Sequence, residues 1–183
     1  MVGFSKLAGS DEERTLARLR ALRSDLIDPT IAVHNGRIVK RTGDGVLIEF
    51  RSVVDAVRCA IEMQNGMIER NAGLPPERRI EFRVGIHLGD VVEESDGDLM
   101  GDSVNIAARL EGIADPGGIC LSEDAYRQVR DRLKEGFPRY GPSVTSRTRT
   151  KPNMTRLNRD ISLCICFSTA STMMKSFLMV PSL

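Results

Sequence analysis

Arg37-Ile38-Val39-Lys40-Arg41-Thr42-Gly43-Asp44-Gly45-Val46-Leu47-Ile48-Glu49-Phe50 reads as a β-hairpin. Arg37 to Arg41 and Val46 to Phe50 are the two strands. Thr42-Gly43-Asp44-Gly45 turns the chain between them, because Asp-Gly tolerates the positive φ angles of a tight hairpin. Upstream, Ser10 and Glu13 have the spacing of a capping box, and Leu16, Leu19, Leu22 and Leu26 follow as one apolar stripe. Pro29 interrupts that helix. Downstream, Ser52 and Asp55 form a second capping arrangement, and Val54, Val57, Ile61 and Ile68 carry a helix to about Asn71. A Pro-Pro loop over Leu74–Arg79 precedes a strand, Ile80 to Leu88. An acidic loop at 95–102 leads to a helix over Val104–Gly112, a strand over Gly117–Ser122 and a last helix over Glu123–Leu133. Adjacent strands with flanking helices predict an α+β sandwich on an antiparallel-rich sheet. Such a sheet normally pairs its central strand with one ahead of the first helix, where only residues 1–9 stand.

The bulk composition is that of one soluble domain. Of 183 residues, 41% are hydrophobic and 28% charged, and the formal net charge is +1. The charge is unevenly spread: residues 1–140 hold 20 Lys/Arg against 24 Asp/Glu, and residues 141–183 hold six against one. Two stretches of different character are therefore expected, a folded domain over 1–140 and an unrelated, disordered tail over 141–183. Ile161 to Val180 is apolar, but Lys175 and many hydroxyls argue against a membrane span. Aromatics are only 4%, and the basic residues gather in the tail, so a nucleic-acid role is not expected. Cys59 and Cys120 lie in apolar runs and read as buried thiols, and no zinc or disulfide spacing is present. Without a signal peptide the expectation is a cytoplasmic protein.

Several residues invite chemistry. Asp44 is either the Asp of an Asp-Gly turn or a carboxylate presented to a metal ion. Asn105 and Arg109, four apart on a helix, share one face, either solvated or functional. Asp96, Asp98 and Gly101 fall at positions one, three and six of a calcium loop, but Met100 at position five offers no oxygen ligand, which excludes that reading.

Four segments in order decide among these alternatives. They are Met1-Val2-Gly3-Phe4-Ser5-Lys6-Leu7, Lys40-Arg41-Thr42-Gly43-Asp44-Gly45, Arg83-Val84-Gly85-Ile86-His87-Leu88-Gly89-Asp90-Val91 and Gly97-Asp98-Leu99-Met100-Gly101-Asp102-Ser103-Val104-Asn105-Ile106-Ala107-Ala108-Arg109. Together they resemble the catalytic domain of class III adenylate and guanylate cyclases, from Met1 to about Tyr140. The resemblance implies a ferredoxin-like cyclase sandwich that lacks its first strand and its closing strands. It implies conversion of ATP to 3′,5′-cyclic AMP and pyrophosphate at a homodimer interface. Two Mg²⁺ or Mn²⁺ ions per site are implied, with Asp44 as a metal ligand. Asn105 and Arg109 would contact ribose and α-phosphate, Lys40 and Asp98 would read the adenine edge, and Gly3, Phe4 and Ser5 would hold the β- and γ-phosphates by backbone amides. The family's first metal-binding Asp would stand immediately before Met1, and its closing Lys has no counterpart after Tyr140. The alternative left open is a non-catalytic nucleotide-binding or dimerisation module on the same fold.

Overall fold

The computed structural model describes residues 4–43, 45–132, 144–146 and 161–169, with side chains over 13–43 and 45–132. The first helix, α1 (Phe4–Leu22), starts six residues before the predicted cap, so Ser10 lies inside it. Pro29 does not end the helical path. The chain widens into a π-helical turn at Arg23–Ile27 and continues as α2 (Asp28–Val33). The cause is local: a proline ring crowds the carbonyl four residues earlier and donates no hydrogen bond, and the wider turn upstream relieves both.

The hairpin forms as read, with β1 (Arg37–Thr42) and β2 (Gly45–Phe50) pairing from Arg37↔Glu49 to Thr42↔Gly45. Helix α3 (Val53–Asn71) begins at the predicted cap, where the Ser52 hydroxyl accepts a hydrogen bond from the Asp55 N–H at 3.3 Å. The Asn71 side chain closes the loop that follows, donating to the Ile80 carbonyl at 2.8 Å and accepting from the Ile80 N–H at 3.2 Å. Strand β3 (Phe82–Asp90) comes next, then a small hairpin of β4 (Val92–Glu93) and β5 (Leu99–Met100). Helix α4 (Asp102–Ile113), strand β6 (Ile119–Leu121) and helix α5 (Glu123–Val129) complete the part legible from sequence.

The stretch expected to stand apart as a featureless tail supplies two strands, β7 (Val144–Ser146) and β8 (Ile161–Thr169). The six-stranded sheet has the order β1-β2-β8-β3-β6-β7. Strand β8 lies in its middle, antiparallel to β2 on one side and to β3 on the other. It fills from the far end of the sequence the slot that lacked a strand ahead of the first helix. Strands β2 and β3 therefore run parallel with one strand between them, and α3 crosses from one to the other. The predicted disorder over Gly141–Asp160 otherwise lies outside the described residues.

The larger apolar core lies on one face of the sheet. Leu19, Leu22, Leu26, Ile27 and Ile31 from α1 through α2 meet Val57, Ala60 and Met63 of α3 and Ile48, Val84, Ile86 and Ile119 of the sheet. One polar group inside it is satisfied: Gln64 donates to the carbonyls of Phe82 at 3.1 Å and Gly118 at 3.2 Å, tying α3 to β3 and to the loop before β6. Cys59 and Cys120 are both buried thiols as expected, and burial pushes the Cys59 thiol up to about 12, which leaves it unreactive.

Ile165 pairs with Ile48 of β2 and with Ile86 of β3, so a proline there removes a ladder donor from the middle of the sheet. Ile165→Pro is expected to cost about 3 kcal/mol and lower the Tm by roughly 10 °C, measured by thermal circular dichroism, with Ile165→Val as the control. An unchanged Tm in the proline variant would mean that 161–169 is not a strand of this sheet.

Candidate functional site

Lys40 and Asp98 are 58 residues apart in sequence and form an ion pair in the structure, the Lys40 ammonium donating to an Asp98 carboxylate oxygen. An irregularity in β1 makes this possible. Its register passes from Arg37↔Glu49 and Ile38↔Ile48 directly to Lys40↔Leu47, so Val39 is an inserted residue. In a regular strand Arg37 and Lys40 would point to opposite faces. The bulge returns Lys40 to the face of Arg37.

Asp98 is presented by the tight turn between β4 and β5. The Gly97 N–H donates to the Glu94 carbonyl and the Glu94 N–H to the Asp98 carbonyl, both at 2.9 Å. Gly97 takes φ 83°, a left-handed conformation that glycine accepts without strain. The Asp98 carboxylate also accepts from the Leu99 N–H at 3.0 Å. The hydrogen bond and charge of Asp98 raise the Lys40 pKa above its ordinary value. The Lys40 hydrogen bond, helped by the Leu99 N–H, lowers that of Asp98. Both groups therefore stay charged over a wide pH range. Their side chains are 52% and 26% exposed, so water screens the attraction and both can turn to another partner.

Asn105 and Arg109 lie on α4, one turn apart and both exposed. Neither makes a hydrogen bond or an ion pair among the described residues. The helix is seated by two contacts. A Cβ built on Gly85 of β3 would stand 2.2 Å from the Ala107 carbonyl oxygen and 2.4 Å from the Glu111 nitrogen, so only glycine lets the helix backbone lie this close. A small cluster of Leu47, Leu99 and Ala107, flanked by Val39, Val91 and Val104, joins β1, β2, the β4–β5 hairpin and α4. The residues that hold Lys40 and Asp98 and those that present Asn105 and Arg109 thus share one apolar support.

Asp44 and Gly3 lie outside the described residues, whereas Phe4 and Ser5 open α1 rather than precede it. Among the described residues no group of three or more His, Cys, Asp or Glu could hold a metal ion. A single carboxylate at Asp44 fits one Mg²⁺ or Mn²⁺ shared with phosphate oxygens, and does not supply donors for a second. No helix among the described residues is long and apolar enough to cross a membrane. The bulge at Val39 and the neighbouring Arg37 escaped the sequence reading. The signal for Arg37 was charge complementarity between the basic β1 and the acidic segment Glu93 to Asp98.

Comparison with known proteins assigns the class. Residues 1–151 match the adenylate and guanylate cyclase catalytic domain. A Rhizobium meliloti (strain 1021) protein provisionally assigned as adenylate cyclase 3 is 47% identical over 136 residues, covering 74% of this chain and 23% of that protein. The adenylate cyclase of Streptomyces coelicolor (strain ATCC BAA-471 / A3(2) / M145) is 33% identical over 135 residues, covering 74% of this chain and 33% of its own length. The crystal structure of an adenylate/guanylate cyclase/hydrolase from Silicibacter pomeroyi superposes with a TM-score of 0.67 at 39% identity, covering 87% of each chain. The chain belongs to the family of adenylate and guanylate cyclase catalytic domains, and its α+β sandwich is the cyclase fold. It spans a quarter to a third of the length of these two sequence relatives.

Gly85→Ala forces its new methyl group against α4. The expected cost is about 1–3 kcal/mol, read as a lower urea midpoint with an unchanged slope. A midpoint equal to that of the parent chain would mean that α4 is not pressed against β3.

Proposed function

We propose that this domain binds ATP and forms 3′,5′-cyclic AMP, with Lys40 and Asp98 reading the purine. The observation that carries the reading is their juxtaposition across 58 residues, a partly exposed donor paired with a partly exposed acceptor. Adenine presents a ring nitrogen that accepts and an exocyclic amine that donates. A lysine that only donates and a carboxylate that only accepts match that edge in order. Guanine reverses the order and sets its O6 against the carboxylate, leaving a desolvated charge opposed. ATP therefore enters by exchanging the ion pair for two hydrogen bonds to the base.

The remaining residues act on the sugar and phosphates. Asn105 orients the ribose so that its 3′-oxygen faces the α-phosphorus. The fixed positive charge of Arg109 then stabilises the α-phosphoryl oxygens as negative charge builds on them. The bond from the 3′-oxygen to phosphorus forms as the 3′-hydroxyl gives its proton to water and the bond to pyrophosphate breaks. Phe4 and Ser5 in the first turn of α1, with Gly3 before them in the sequence, would offer backbone amides to the leaving phosphates. Asp44 would hold a divalent ion, Mg²⁺ or Mn²⁺, which neutralises triphosphate charge. The family resemblance implies two ions per site, for the second of which Asp44 alone supplies no donors, and a head-to-tail homodimer whose two subunits share each site. The exposure of Asn105 and Arg109, without partners among the described residues, is consistent with that arrangement.

The test is cyclic nucleotide production from Mn²⁺-ATP and Mn²⁺-GTP. The chain is expected to favour ATP. Lys40→Ala is expected to reduce kcat/KM for ATP by about tenfold to a hundredfold while leaving the low rate on GTP nearly unchanged. Equal losses on both nucleotides, or none, would remove Lys40 from base recognition.

A further inference from the structure

The Lys40–Asp98 pair joins two elements of unequal rigidity. Lys40 stands on a strand of the main sheet, whereas Asp98 stands on a hairpin with only two residues in each strand. So short a hairpin has little stability of its own in water. A lysine ammonium is a single point of charge on a flexible stem and does not fix the orientation of what it meets. Once a purine takes both groups, their direct contact is gone, yet the distance between them must still fit the base.

Arg37 supplies a second connection that a purine does not disturb. Its Nε donates to Glu49 Oε2 at 2.7 Å, which anchors the guanidinium on the neighbouring strand β2. The other end of the same planar group meets the hairpin, with one terminal nitrogen 2.9 Å from Glu93 Oε1 and 3.5 Å from the Gly97 carbonyl oxygen. These two positions flank Asp98: Glu93 is paired with Leu99 across the hairpin, and Gly97 immediately precedes Asp98. The bulge at Val39 places Arg37 and Lys40 on one face, so the grip and the reading group work from the same side of β1.

We infer that Arg37 is a positioning residue for purine selection, holding the β4–β5 hairpin against β1 and β2 so that Asp98 keeps its place opposite Lys40. This inference rests on the reading of Lys40 and Asp98 as the purine-recognising pair. The rigid fork of arginine reaches both sides of the gap at once. Lysine at position 37 cannot do so, and Arg37→Lys should behave like a loss.

Binding tests this without requiring turnover. The full chain is titrated with the fluorescent ribose-labelled nucleotides mant-ATP and mant-GTP in Mn²⁺, as parent and as Arg37→Met, Arg37→Lys, Glu93→Gln and Lys40→Ala. Arg37 is 43% exposed, so the expected effect is moderate. The Kd for mant-ATP should rise about fivefold in Arg37→Met, with mant-GTP unchanged. Glu93→Gln should move the ratio the same way by less, and it decides the matter if the Arg37 variants do not fold. A loss of selectivity in Lys40→Ala without any change in the ratio in the Arg37 and Glu93 variants overturns the inference and leaves the base-reading pair intact. Equal weakening of both nucleotides in Arg37→Met also overturns it, since that is the mark of a merely structural residue. If the parent chain shows no preference, or Lys40→Ala keeps it, the base-reading pair itself fails and the inference with it.

Discussion

Among the described residues, β8 joins the backbone ladders of the two halves of the sheet. On one side stand β1 and β2, on the other β3, β6 and β7, and each half hydrogen-bonds to β8 rather than to the other. A central strand satisfies two rows of backbone groups. Leaving them unpaired in a buried position costs about 1–3 kcal/mol for each group, against a total stability of about 5–15 kcal/mol. The candidate site inherits this dependence. Lys40 belongs to the first half, while Asp98, Asn105 and Arg109 follow β3 in the second.

Above that frame, the site is assembled by short-range devices. The bulge at Val39 turns Lys40 to the working face, and Gly85 lets α4 lie on the sheet. Leu47, Leu99 and Ala107 close the space between them. Their joint effect is to hold a donor and an acceptor side by side while leaving both in reach of solvent. Without a ligand the two satisfy each other. On the proposed reading, a base with the matching edge would exchange one set of hydrogen bonds for another, and selectivity would arise from the order of donors and acceptors more than from attraction. Charge alone would not distinguish one nucleoside triphosphate from another.

What was legible in the sequence was local. The 37–50 hairpin is encoded by its Asp-Gly turn, and the start of α3 by a single hydroxyl at Ser52. The exposed face shared by Asn105 and Arg109 follows from helical spacing. What was not legible depended on distant partners or on competition between local signals. Ser10 has good capping chemistry, yet α1 starts at Phe4, because a helix runs on past a possible cap when its earlier residues also favour it. Residues 161–169 carry apolar and hydroxyl side chains without turn signals, and only the open slot between β2 and β3 makes them a strand. The bulge at Val39 has no signature of its own, because the register shift is a property of the pair β1–β2. The membership of the cyclase family was legible because four short motifs kept their order and spacing.

The central claim is that Lys40 and Asp98 exchange each other for the adenine edge. Nuclear magnetic resonance of the Lys40 side-chain nitrogen and the Asp98 carboxyl carbon, recorded with a non-hydrolysable ATP analogue and then with its GTP counterpart, tests it most directly. The account predicts that both signals move on adding the ATP analogue and stay near their unliganded positions with the GTP analogue at the same concentration. Signals that ignore a bound ATP analogue, or that respond equally to both, would contradict it.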